Sequence, residues 1–234
     1  MKQRLFMTGV AAALVYLMLV PIASAGEKKK KGEFVQTPEN TIRVELVQPV
    51  KPQTFLRPIK FWVSDVVDRS GNPQPLLVGP DVFLDREPTV IVRQALEDSC
   101  KAADILAADS TSADYSLRAF VFSFGLAPSA EGELFAKVEL NVVVKNQRSG
   151  KSHTVTALGT SIMELDNQTD ESSNLKKEDF RRKANQGLDE ALQDALRNLL
   201  HGTKLREAVT LESDLLRPVK AGRSLACLRF TSGS

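Results

Sequence analysis

The 234-residue chain is poor in the residues that most often carry site chemistry: two cysteines, two histidines, two tyrosines and one tryptophan. Two cysteines are too few for a four-cysteine zinc site or a disulfide-dense mini-scaffold. His153 and His201 lie far apart and neither belongs to an H-E-x-x-H pair, so no metal ligands are assigned. An excess of one charge sign is also missing. Residues 1–25 carry only Lys2 and Arg4 as charges, and the remainder of the chain is neutral. A nucleic-acid partner is therefore not expected, because phosphate binding needs clustered cations that displace counterions.

Local signs of catalysis are equally scarce. There is no G-x-S-x-G elbow. Arg148-Ser-Gly-Lys-Ser152 has Lys145 where a phosphate loop needs its first glycine, and it joins two strands rather than opening a helix. Asp65 and Asp68 read as strand and turn residues. Glu178 and Asp179 read as the first turn of a helix, where negative charge is favourable. His201 beside Gly202 suits a helix C-terminus, and Asn167-Gln-Thr169 reads as a chance sequon. No catalytic residue and no cofactor are assigned, and the chain is expected not to be an enzyme.

What is present begins with residues 1–25. A basic start is followed by an apolar run over 5–20, then Pro21 and Ala23-Ser-Ala25. This is the three-part secretory pattern, with cleavage expected between Ala25 and Gly26 and an uncleaved membrane anchor as the alternative. The expected location is the periplasm. Lys28, Lys29, Lys30 and Lys31 lie in a tail over 26–40, a solvated spacer with a weak pull toward anionic membrane surfaces as its alternative role. At 42% hydrophobic and 26% charged residues, the chain has a globular composition. A single domain is expected over 41–209, with an extension over 210–234.

Period-2 alternation predicts strands over 41–47, 59–67, 115–124, 134–144 and 153–163. A short run at 76–78 returns after the turn at 68–72, and a Pro-bounded hairpin is the simplest account of it. Apolar residues on both faces of 115–124 predict a strand covered on both sides. Val92, Leu96, Cys100, Ala103 and Ala107 share one face of a helix opening at Pro88 and ending at 109–112. A second amphipathic helix spans 176–200, with Gly202 as its stop and a further turn at 205–209. The expected fold class is α+β, in the order β-β-α-β-β-β-α: a mainly antiparallel sheet with two amphipathic helices on one face.

VSDVVDRSGNP, EPTVIVRQALEDSCKAADI, ADYSLRAFVFSF and FAKVELNVVVKNQRSGK, with the closing amphipathic helix, resemble the YajG-type envelope lipoproteins over about residues 40–205. The resemblance implies a periplasm-facing accessory protein, related in fold to assembly and transport auxiliary proteins. The lipobox cysteine of that family is absent here.

An exported chain with an even pair of cysteines points to a disulfide, Cys100 to Cys227, against the alternative of two free thiols. An unidentified envelope protein is the expected partner. The binding surfaces considered are the partly polar sheet face, the stretch 71–80 with Leu76 and Leu77, and the basic run Arg181, Arg182, Lys183. A lipid or small-ligand carrier is the alternative, its groove lined by Phe120, Phe122, Phe124 and Phe135 between sheet and helices. A hydrolase with a dispersed site ranks last.

Overall fold

The computed structural model describes residues 35–215 except 47, 53–54, 56–57, 80, 129–132 and 164–172. The expected signal cleavage at Ala25 and Gly26, the lysines at 28–31 and Cys227 lie outside the described residues.

The α+β class holds, but the sheet is mixed. β2 (Phe61–Asp68), β5 (Tyr115–Pro128), β6 (Leu134–Asn146) and β7 (Ser152–Met163) form one sheet in the order β2-β5-β6-β7. β5, β6 and β7 make an antiparallel meander, while β2 runs parallel to β5. The parallel pair is possible because α1 (Pro88–Ala102) lies between the two strands in sequence and supplies the crossover. The expected hairpin after β2 is therefore corrected. β3 (Leu77–Gly79) pairs instead with β4 (Val82–Leu84), and β4 pairs in parallel with β1 (Thr41–Ile42), giving a separate three-stranded sheet. Only two residues of the strand expected over 41–47 are in that ladder, although Ile42 and Val44 are buried as the alternation requires.

Pro88 stands at the start of α1, where its missing N–H costs nothing, and Val90 and Ile91 both donate to the Glu87 carbonyl. The helix ends at Ala102, earlier than its periodicity implies. Asp104 takes a positive φ of 55°, its amide bonds Lys101 O, and the Ile105 amide bonds Cys100 O. These two bonds are the Schellman termination, built here on Asp rather than Gly. The released chain then runs beside β2: the Phe61 amide donates to Ile105 O and the Ala107 amide to Phe61 O. Ala107 is thus buried next to a strand and is not part of the helix face.

Among the described residues α2 (Ser173–Leu200) is followed by a full third helix, α3 (Thr203–Leu215), where only a further turn over 205–209 was expected. Ala184, Leu188, Ala191, Leu192, Ala195 and Leu199 of α2 are buried, as their spacing predicts. The alanines let α2 approach β7 closely, and Gly159 completes the contact. A Cβ at Gly159 would stand 1.9 Å from the Ala191 carbonyl oxygen. Ala136, Val138, Leu140, Val142 and Val144 of β6 face the same interior, each at most 1% exposed. The valine and leucine side chains among them each stabilise the fold by about 1.5–3 kcal/mol on leaving water. At the far end the Tyr115 hydroxyl, buried, donates to the Val209 carbonyl and ties α3 to β5.

Candidate functional site

Helices α1 and α2 pack on one face of the four-stranded sheet, and no described helix covers the other. The uncovered face is set by alternation. Arg118 and Phe120 of β5 pair across to Val143 and Asn141 of β6, which pair in turn to Thr154 and Thr156 of β7. Phe135 pairs with Ile162 and Glu139 with Leu158 on the same side. Three large apolar side chains are conspicuous on this half of the molecule: Ile162 is 70% exposed, Leu158 46% and Phe122 43%.

The expected aromatic groove is corrected by this arrangement. A bulge between Val121 and Ser123 makes Phe122 an extra residue opposite β6 and shifts the alternation by one. Phe124 therefore enters the interior, whereas Phe120, Phe122 and Phe135 lie away from the helices. β5 is central in the sheet, but among the described residues helices cover only one of its faces. The space between sheet and helices is filled by aliphatic residues such as Leu140, Val142, Leu188 and Leu192.

Phe120 is held between cations. The Arg118 guanidinium lies 5.2 Å from its ring centroid and that of Arg69 lies 5.9 Å away. Backbone geometry places Arg69 there, since its amide donates to Val121 O and extends the β2–β5 ladder by one bond. Arg118 is partly neutralised by Asp65 at 3.4 Å, which Arg93 also approaches at 3.7 Å. Among the described residues Arg69 has no carboxylate within ion-pair distance. Lys137 and Glu139 pair at 2.8 Å further along the face. A recess of about 260 Å³ opens beside the bulge, lined by Asp68, Ser70, Asn72, Pro75, Leu77 and Phe122 among others.

The other expected site residues are dispersed. Leu77 reaches the recess, while Leu76 accepts a hydrogen bond from the Leu84 amide in the small sheet. Arg181, Arg182 and Lys183 follow one another on α2 and so point apart; Arg182 and Lys183 both bond Asp179, whose carboxyl they hold below its usual range. Glu178 and Asp179 lie beyond the first turn, because α2 begins at Ser173. Asp68 accepts from the Ser70 amide in the turn. His201 meets the Lys51 carbonyl through Nε2 at 2.6 Å. The turn after β6 is held by Asn146 Oδ1, which accepts from the Arg148 and Ser149 amides, and by Gly150 at φ 73°. Cys100 is fully buried, and desolvation raises its thiol pKa to about 12, so it is inert as a nucleophile.

Sequence reasoning missed Asp189. It sits half-buried on α2 and accepts a hydrogen bond from the Glu45 amide at 2.9 Å, fastening the segment after β1 to the helix. Burial, with Glu45 and Glu190 nearby, pushes its carboxyl up to about 6. Missed too was the pair of guanidiniums on Phe120. An arginine two residues before an aromatic on one strand face was its available sign.

Neither a family model nor a curated protein matches the sequence. Solved structures do. Protein XCC0632 from Xanthomonas campestris, described under the DUF330 family, shares the fold with a TM-score of 0.54 at 14% identity, over 74% of this chain and 99% of that one. A putative lipoprotein from Caulobacter crescentus aligns at 16% identity and TM-score 0.34, over 53% of this chain and 82% of its own. Lipoprotein GNA1162 from Neisseria meningitidis aligns at 16% and 0.25, over 55% and 97%.

Proposed function

We propose that the chain is an exported accessory protein of the cell envelope, without catalytic activity of its own, which holds a protein partner against the uncovered sheet face. The observation that carries this reading is the exposure of Ile162, Leu158 and Phe122 on a face that no described helix covers. Apolar side chains gathered on one surface mark contact sites more often than solvent-facing ones. The secretory pattern of residues 1–26 and the YajG-like layout support the compartment.

The test uses a photoreactive amino acid at position 158 or 162 in intact cells, with position 94 on the exposed side of α1 as control. The expected result is a discrete envelope protein captured from 158 and 162 and not from 94. Recovery of the chain alone, or the same products from all three positions, overturns the reading.

A further inference from the structure

We propose that the outer edge of β7 is a strand-addition site, where an extended, uncharged segment of a partner protein continues the four-stranded sheet beside α2. This deepens the partner-binding reading above and rests on it. β7 stands last in the sheet order, so one side of it has no strand alongside. The direction of its backbone groups follows from the turn before it. The Asn146 amide donates to the Lys151 carbonyl, which makes 146 and 151 a hydrogen-bonded pair. Along the ladder, odd-numbered residues of β7 therefore exchange bonds with β6, and even-numbered ones turn N–H and C=O outward. The Leu158 carbonyl obeys this, accepting from Asn198 Nδ2 at 2.7 Å. Among the described residues no group bonds the outward amides and carbonyls of Thr154, Thr156, Thr160 and Ile162.

Natural sheets blunt such an edge with charge, proline, a bulge or a covering segment. β2, at the other end of the sheet, has two of these: Asp65 and Asp68 in the strand, and the chain at 105–107 hydrogen-bonded along Phe61. β7 has no Asp, Glu, Lys, Arg or Pro in its 12 residues, and its register with β6 is unbroken. The residues whose backbone turns outward also place their side chains on the uncovered face, the exposed Leu158 and Ile162 among them. Alternating donors and acceptors along a straight, uncharged edge complement another extended backbone.

Helix α2 selects the occupant. Its backbone at Ala191 and Ala195 lies directly over Gly159, and Asn198 reaches from it to the edge. A second copy paired through β7 would bring its own α2 within about one strand spacing, ~5 Å, whereas packed helix axes stand about 8–10 Å apart. A single extended segment with no helix over it meets no such conflict. Toward the end of β7 the edge opens into a groove of about 410 Å³ between Ser161 and Met163 on the strand and Lys183, Gln186 and Glu190 on α2. The polar groups there are already matched: Glu190 accepts from Ser161 and Gln186, and Lys183 pairs with Asp179. The groove thus favours uncharged side chains, while the alternate residues of the segment lie beside Leu158 and Ile162 and are apolar. A hydrocarbon chain would cover those two residues and leave the backbone groups unpaired, so a peptide is the better fit.

The experiment repeats photo-capture from position 162 in two variants at position 160. Lys137 and Thr160 face each other without mutual hydrogen bonds, so Thr160→Pro removes one outward N–H and leaves the β6–β7 ladder intact. Thr160→Val keeps that N–H. Expected are a fall in capture of about tenfold for Thr160→Pro and parent-like capture for Thr160→Val. A second measurement does not depend on the proline variant folding. Amide hydrogen exchange of the purified chain is followed with acetyl-STVTVTVS-amide, with the same peptide N-methylated at its central residues, and with phosphatidylglycerol vesicles. Exchange at 160 and 162 should slow about tenfold with the first peptide, with no change at 155 and 157 and no effect of the other two probes. Several results overturn the proposal: undiminished capture by a folded Thr160→Pro variant, equal loss in Thr160→Val, or a captured product that is a second copy of this chain. No slowing with the first peptide, or equal slowing with either other probe, does the same. If the parent captures a partner from 158 and 162 and Thr160→Pro captures it equally, only this inference falls; if the parent captures nothing, the function reading falls with it.

Discussion

The two faces of the β5–β6–β7 meander are made by the same strands and obey different rules. On the helix side every residue is constrained by a neighbour: Val138, Leu140 and Val142 are wholly buried, and Gly159 has no room for a side chain. On the other side the composition is mixed, with Thr154, Thr156 and Thr160 beside Leu158 and Ile162. Packing selects the first face. Nothing in the described fold buries Ile162 or Phe122, which stay 70% and 43% exposed.

That contrast sets a graded series of substitutions. The largest effect is expected at Gly159→Ala, where the new methyl would meet the backbone of α2 at Ala191 and Ala195. Backbone cannot rotate away as a side chain tip can, so a loss of about 3 kcal/mol or more is expected in urea unfolding. Leu140→Ala, which leaves a cavity, should cost about 2–5 kcal/mol by the same measurement.

Asp189→Asn should act in the opposite direction and only in one pH range. The folded carboxyl titrates near 6, above its ordinary value of 3.8. The folded state therefore binds this proton more tightly than the unfolded one, and its stability falls as pH rises from about 4 to 6. An Asn keeps an acceptor for the Glu45 amide without the buried charge, and the Asn185 amide, whose Nδ2 donates to Asp189 Oδ2, has to turn over so that its Oδ1 accepts from the new amide. The variant should melt higher than the parent at pH 7.5 and equally at pH 4; a gain that persists at pH 4 would point away from ionisation as its cause. The smallest change is expected for Ile162→Thr, within about 0.5 kcal/mol of the parent. A large loss there would mean that the face is packed against something within the chain.

The same contrast explains what could be read from the sequence. β6 was legible residue by residue, because one covered face enforces strict alternation and no bulge interrupts it. β5 was legible only to Val121; the extra residue Phe122 shifts the alternation there and sends Phe124 into the interior, to the side opposite Phe120. The end of α1 was misplaced because its left-handed terminator is Asp104, a residue type that tolerates that conformation without advertising it as Gly does. The partner of β2 was not legible, since period reports which face a side chain takes and not which strand lies alongside. At the candidate site Leu77 and the aromatics were found, whereas Arg69 was not, because it reaches Phe120 only through the parallel pairing.

That parallel pairing also bears on how the chain reaches its fold. In sequence β5 is separated from β6 by residues 129–133 and β6 from β7 by 147–151, whereas β2 meets β5 across residues 69–114. Closing the longer loop costs about 2 kcal/mol more in chain entropy. The meander is therefore expected to nucleate, with β2 and α1 arriving after the rate-limiting step. In chevron measurements Val142→Ala should slow folding, and Val63→Ala should chiefly hasten unfolding. The opposite assignment of the two rates would place the nucleus on the crossover. On the expected order, the folding chain passes through a species with its central strand still unpaired along one edge.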